Sequence, residues 1–119
     1  MSADIVTAIE PTFIRLTVSG RYLFEELFDF IALVKREAEW AARNRVLIDC
    51  RQFEGSMTEA ERFQGGQRIA EVFGDRLKAD LIMPAGQMTK LGELTAVNRG
   101  AKFLATESET EATEWLLSP

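Results

Sequence analysis

The sequence predicts an α/β fold: a mixed five-stranded sheet with its first strand antiparallel, covered by four helices in the order ββαβαβαβα. Three observations carry this. Val46, Leu47 and Ile48 form an apolar run without alternation, which suits a strand covered on both faces of a parallel sheet, and Thr58-Glu59-Ala60-Glu61 downstream has the spacing of a helix-capping box. Apolar runs at 79–83 and 102–105 are each followed by a helical pattern and so repeat the strand–helix unit. Ahead of all of them lie two short strands joined by a three-residue turn, too short for a crossover, so that pair is antiparallel.

The hairpin strands are residues 4–9 (DIVTAI) and 13–18 (FIRLTV), and Pro11 fixes the turn between them. In the second strand Phe13, Arg15 and Thr17 alternate with Ile14, Leu16 and Val18, which leaves one face fully apolar. Residues 19–22 (SGRY) are expected to break the strand. A helix over 23–43 follows, with Phe24, Leu27, Phe28, Ile31, Val34, Ala38 and Ala41 as its core face and Glu39 and Arg43 as a supporting pair. Leu33 and Trp40 fall outside that face and point away from the sheet, and Phe30 lies at its edge, so the three form an apolar ridge.

The central strand is expected to end at Asp49 and Cys50, with 51–57 as loop, and a second helix covers 59–73 with Ile69, Val72 and Phe73 inward and Gly74 as its cap. Gly65-Gly66 in mid-helix costs about 1 kcal/mol per residue against Ala. A broken helix, close packing on a neighbour, or a ligand approaching the backbone would each account for the pair. Residues 79–83 (ADLIM) read as an unbroken apolar strand stopped by Pro84. A short helix over 90–99 presents Leu91, Leu94 and Val97 as contacts and is closed by Gly100. After the strand at 102–105, Ser108-Glu109-Thr110-Glu111 is a second capping-box pattern, opening a final helix that buries Ala112, Trp115 and Leu116.

A chain of 119 residues is expected to form one domain, residues 1–119, able to bury roughly two thirds of its surface without staples. The net charge of −5 argues against nucleic acid or an anionic membrane as main partner. No apolar run approaches the ~20 residues of a membrane span. The first residues show no secretory pattern, and the single cysteine fits a reducing compartment, so a cytoplasmic location is expected. The absence of histidine removes His-assisted nucleophiles, His bases and most zinc sites together. No phosphate-binding Gly-Lys-Ser/Thr loop, dinucleotide Gly-x-Gly-x-x-Gly or Cys-x-x-Cys is present.

The loop after the central strand lies at the carboxyl end of the sheet, where open α/β sheets bind ligands. Asp49, Phe53 and Gly55 are its candidate ligand- or partner-contacting residues. Asp49 could act as base or metal ligand, or satisfy loop amides; no second carboxylate is spaced to share a site with it, so no catalytic residue and no metal or cofactor site is assigned. Phe53 either plugs the sheet end or lines a ligand mouth. Cys50 reads as a small buried residue, and Arg99 as serving a helix C-terminus. Ser56 and Thr58 read first as helix caps.

Four local stretches, LTVSGRY (16–22), VLIDCRQFEG (46–55), AVNRGAKFL (96–104) and EATEWL (111–116), in this element order, resemble the STAS superfamily, and within it the SpoIIAA-like proteins that share the fold of anti-sigma factor antagonists. The resemblance implies a small mixed sheet with helices and no catalysis. Anti-sigma factor antagonists bind a partner kinase and are switched off by phosphorylation of a serine at the start of the helix after the central strand, in an Asp-Ser-Ser-Gly type sequence. Here the region reads Phe53-Glu54-Gly55-Ser56-Met57-Thr58, which lacks that signature but places Ser56 and Thr58 as candidate phosphoacceptors. Related domains bind nucleotides or lipids. The expectation is a non-enzymatic binding or regulatory domain acting on a protein partner or on itself through Phe30, Leu33 and Trp40. The alternative is a carrier or sensor of a small apolar or amphipathic ligand.

Overall fold

The hairpin that opens the chain sets the sheet. A computed structural model describes residues 1–119. Strand β1 (Ala3–Ile9) pairs antiparallel with β2 (Ile14–Arg21), and Ile14, Leu16 and Val18 are fully buried, as the alternation requires. A 3-10 turn at Phe24–Glu26 leads into α1 (Leu27–Trp40). Then follow β3 (Arg45–Glu54), α2 (Glu59–Phe73), β4 (Lys78–Ile82), α3 (Leu91–Asn98), β5 (Lys102–Thr106) and α4 (Glu109–Leu117). The spatial order is β1-β2-β3-β4-β5, all parallel after the first pair.

Each parallel crossover moves one strand along the sheet with the same hand, so α1, α2 and α3 land on one face. Ile31, Val34 and Ala38 of α1, Phe73 of α2 and Ala96 of α3 close the larger core over Ile14, Leu16, Val46, Ile48 and Phe103. On the opposite face α4 buries Ala112 and Leu116 against Leu47 and Ile82, with Phe13 and Trp115 at the rim. Lys78 holds the end of α4: its Nζ donates to the carbonyls of Trp115 (2.7 Å) and Ser118 (2.8 Å) and lies 4.6 Å above the Trp115 ring.

Several expected boundaries move, each for a physical reason. Strands β2 and β3 both run several residues further than expected, because the extension of each supplies the hydrogen-bond partner of the other: Ser19, Gly20 and Arg21 pair with Gln52, Phe53 and Glu54. Gly20 crosses this stretch at φ 92°, which Ser19 or Arg21 could not adopt cheaply. The loop shrinks to residues 55–58. Helix α1 stops at Trp40, three residues early, with Ala42 at φ 55°. Arg43 does not pair with Glu39; it donates to the carbonyls of Glu10 (3.1 Å) and Ala41 (3.0 Å). Phe24 and Phe28, expected in the core, are more than a third exposed and pack edge to face on each other, with Arg68 4.3 Å above the Phe28 ring.

Two readings of the second half change more. Helix α2 is unbroken across Gly65-Gly66, and the close-packing account holds at Gly66. A Cβ there would meet the Gly92 carbonyl at 2.6 Å and the Thr95 Cβ at 2.7 Å. Because α3 turns its small residues Gly92, Thr95 and Ala96 to α2, Leu94 (53% exposed) and Val97 (45%) face solvent rather than the core. β4 is not purely apolar either: Asp80 is completely buried, and neither carboxyl oxygen meets a donor.

Candidate functional site

The carboxyl end of the sheet gathers the loop residues, but on two faces. Between Asp49 and Gln52 the β3 register slips by one residue against β2, a bulge that changes which side each later residue faces. Consequently Cys50 and Phe53, three apart, both line the same cleft, whereas Asp49 points to the α4 face. The expected grouping of Asp49 with Phe53 and Gly55 in one site therefore separates.

On the α4 face Asp49 is almost wholly buried and accepts from three directions. Arg51 approaches with its backbone N–H (3.1 Å), Nε (2.9 Å) and Nη2 (2.7 Å), and Arg15 adds 2.9 Å from Nη2. Glu109, at the start of α4, accepts from the same two guanidinium groups. The Arg51 bonds hold the Asp49 carboxyl below its ordinary value despite burial. A carboxylate so engaged is a poor base. The network joins β2, β3 and α4, and residues this far apart in the chain give no local sequence signal.

The other face holds a cleft of about 110 Å³ between the sheet end, the 3-10 turn and the start of α2, lined by Leu23, Leu27, Phe30, Cys50, Phe53 and Met83 among others. A second hollow of about 100 Å³ shares Leu27, Phe30, Met57, Arg62, Leu81 and Met83 with it and continues beneath Gly65 and Gly66. Phe53 is half-buried, packs edge to face on Tyr22 at 6.3 Å, and so both plugs the sheet end and lines the mouth. Burial pushes the Cys50 thiol up to about 12, which keeps it protonated and inert. Arg62 borders both hollows, and its guanidinium makes no hydrogen bond or ion pair within the chain.

The loop over this cleft is tied down at one hydroxyl only. Gly55 turns at φ 101°, which disfavours any side chain there, and a Cβ would only touch Tyr22 at 3.4 Å. Thr58 caps α2: its hydroxyl accepts the Glu61 N–H (3.1 Å) while Glu61 takes the Thr58 N–H (3.0 Å). The same Glu61 oxygen accepts from the Tyr22 hydroxyl at 3.2 Å, and burial together with that carboxylate raises the Tyr22 hydroxyl above its ordinary value. Ser56 is exposed and caps nothing, which separates it from Thr58. At the second box, Ser108 caps α4 through the Glu111 N–H at 3.1 Å, without the reciprocal bond.

Of the expected ridge, Trp40 is 86% exposed, Leu33 is half-buried, and Phe30 turns into the core and the cleft. Arg99 donates to the Thr95 carbonyl and lies 5.3 Å over the Phe63 ring, as its helix-end role requires. Sequence reading missed Arg62 and Asp80; the first sits on an ordinary polar helix position, and the second hides in an otherwise apolar strand.

No protein-family model matches the chain, and no curated protein matches its sequence. Among solved structures it is similar to an anti-sigma factor antagonist from Mycobacterium paratuberculosis, with 14% identity over 98% of this chain and 96% of that one and a TM-score of 0.63. An antisigma-factor antagonist STAS domain from Rhodobacter sphaeroides is 17% identical over 97% and 96% of the two chains, with a TM-score of 0.37. The element order, the antiparallel first pair and the end-to-end match to the Mycobacterium structure together show that this chain has the fold of that anti-sigma factor antagonist.

Proposed function

We propose that the protein is a non-catalytic regulatory domain that docks a protein partner at the carboxyl end of its sheet, on the residue 55–58 loop and the adjoining start of α2. One observation carries the reading. This end presents an exposed loop beside a preformed apolar cleft, while the buried carboxylate of Asp49 is spent on two arginines on the other face. A partner side chain entering the cleft gains apolar burial, and Glu54 and Glu59 at the rim favour basic residues around it. The similarity of fold to an anti-sigma factor antagonist supports a regulatory role. A phosphate on Ser56 would add up to two negative charges beside those carboxylates and release such a partner, whereas a phosphate on Thr58 would also break the cap of α2.

Affinity capture from cells that produce the protein tests this, using the wild type and a Met57→Glu variant. A defined partner retained by the first and lost by the second, with the fold of both intact by circular dichroism, is expected. Equal retention by both refutes this docking surface.

A second reading rests on the unpaired Arg62 guanidinium at the shared wall of the two hollows. An amphipathic ligand could lay its apolar part in the cleft and its anionic head on Arg62. Native mass spectrometry of protein purified from cells would then show an adduct that is lost on denaturation and absent from Arg62→Leu. A bare chain mass refutes this reading and leaves the first standing.

A further inference from the structure

Strand β1 is the free edge of the sheet and pairs only with β2. The bonds Arg21 N–H to Ser2 C=O (3.2 Å) and Glu10 N–H to Phe13 C=O (2.8 Å) fix the phase of the ladder. By the alternation of an antiparallel pair, Ser2, Asp4, Val6, Ala8 and Glu10 spend their backbone groups on β2, and Ala3, Ile5, Thr7 and Ile9 turn theirs outward. The strand carries no lysine, proline or bulge, the usual devices that blunt an edge. Val6 is 68% and Ile9 61% exposed.

Helix α1 runs alongside this edge. Glu26 takes the Ser2 N–H at 2.9 Å, and Glu37 accepts from the Thr7 hydroxyl at 3.2 Å. Eleven helical residues and five strand residues both span about 17 Å, so helix and strand keep pace. Phe28, about 180° around the helix from Glu37, meets Arg68 of α2, which places Glu37 on the edge side. Leu33 and Trp40 lie about 40° and about 60° from Glu37, turned away from the core face toward solvent, and with Asp29 and Arg36 form one stripe at i, i+4, i+7 and i+11. Asp29 and Arg36 make no ion pair within the chain.

We infer that a second copy of this chain pairs with the free edge of β1, antiparallel about Val6, to give a continuous ten-stranded sheet. The strand suits itself. Ala3 falls opposite the second copy's Ile9 and Ile5 opposite its Thr7, so all four outward-turned residues bond and Val6 meets its equivalent. Asp4, the one charge on β1, falls opposite Ala8, so no like charges face each other. The same two-fold runs the α1 helices antiparallel and brings Asp29 of each toward the Arg36–Trp40 end of the other, which complements the unpaired charges and covers Trp40. This pairing uses the edge of β1, not the residue 55–58 loop proposed above as the docking surface, although Met1 and Ala3 border the cleft at that end.

Sedimentation equilibrium up to ~100 µM tests it, because a strand-pair interface of this size is expected to be micromolar. The wild type should reach twice its 13.4 kDa mass. Thr7→Pro removes an outward N–H without touching the β1–β2 ladder and should weaken the dimer at least ~10-fold with an unchanged circular dichroism spectrum. Should that variant misfold, Arg36→Asp, which leaves the backbone intact, should weaken the dimer, and Asp29→Arg added to it should restore it. A wild type that stays monomeric, a dimer indifferent to both changes, or an edge occupied only by a different protein overturns the inference.

Discussion

Placing alanine at Gly66 and, separately, at Gly65 tests the packing of α2 on α3 with two neighbouring positions as each other's control. At Gly66 the new methyl would sit 2.6 Å from the Gly92 carbonyl oxygen and 2.7 Å from the Thr95 Cβ. Neither atom is the far end of a flexible side chain, so the helices must part by about 1 Å to restore ordinary contact. Alanine returns about 1 kcal/mol of helix propensity. Overpacking against fixed atoms typically costs 1–3 kcal/mol, and separating α2 from α3 loosens the buried Thr95 and Ala96 as well, so a net loss of about 2 kcal/mol is expected. At Gly65 the methyl meets the Leu27 Cδ2 at 3.4 Å and the Met57 Cε at 3.5 Å, both mobile ends bordering the cleft. That variant should keep most of the propensity gain and match or exceed the wild type by up to about 1 kcal/mol. Urea unfolding followed by circular dichroism, with a common m-value, measures both. A Gly66→Ala protein as stable as Gly65→Ala would show that α2 and α3 do not approach this closely.

Three other predictions follow from the site and the core. Burial pushes the Asp80 carboxyl up to about 8 from 3.8, so the folded protein holds a proton that the unfolded chain releases above pH 4. The associated stability is present in full below that pH and fades as the pH rises toward 8, so Asp80→Asn should gain on the wild type by roughly 3 kcal/mol between pH 5 and 7. Parallel pH–stability curves for the two proteins would contradict it. Asp49 has the opposite sign: its depressed value means that its contribution is lost as the pH falls below about 4. Asp49→Ala should therefore destabilise at pH 7, with a deficit that shrinks as the pH falls below about 4, as thermal melts across that range would show. Phe53→Ala opens the sheet end and should cost about 3 kcal/mol while raising the fluorescence of an added apolar dye, a gain that a solidly packed end would not give.

Much of the fold was legible because local rules and tertiary demands agreed. Ile14, Leu16 and Val18 alternate because one face of β2 is core, and Thr58 to Glu61 form a capping box in the folded chain as written in the sequence. What was not legible depended on partners remote in sequence. The ends of β2 and β3 each looked like loop because each becomes strand only when the other lies beside it. The bulge in β3, invisible to a period-two count, sent Asp49 and Phe53 to different faces. α3 was misphased because its contact with α2 selects small residues at Gly92, Thr95 and Ala96, whereas a hydrophobic count selects Leu94 and Val97. At the candidate site Phe53 and Thr58 could be placed from type and spacing, but Arg62 gains meaning only once two hollows meet beside it.

Amide hydrogen exchange on the captured complex reads the proposed docking surface directly. Protection on binding should concentrate in residues 55–62 and on the cleft wall around Phe53, with β5 and the outer face of α4 unchanged. Protection confined to those distant elements, or none at the residue 55–58 loop, would contradict it.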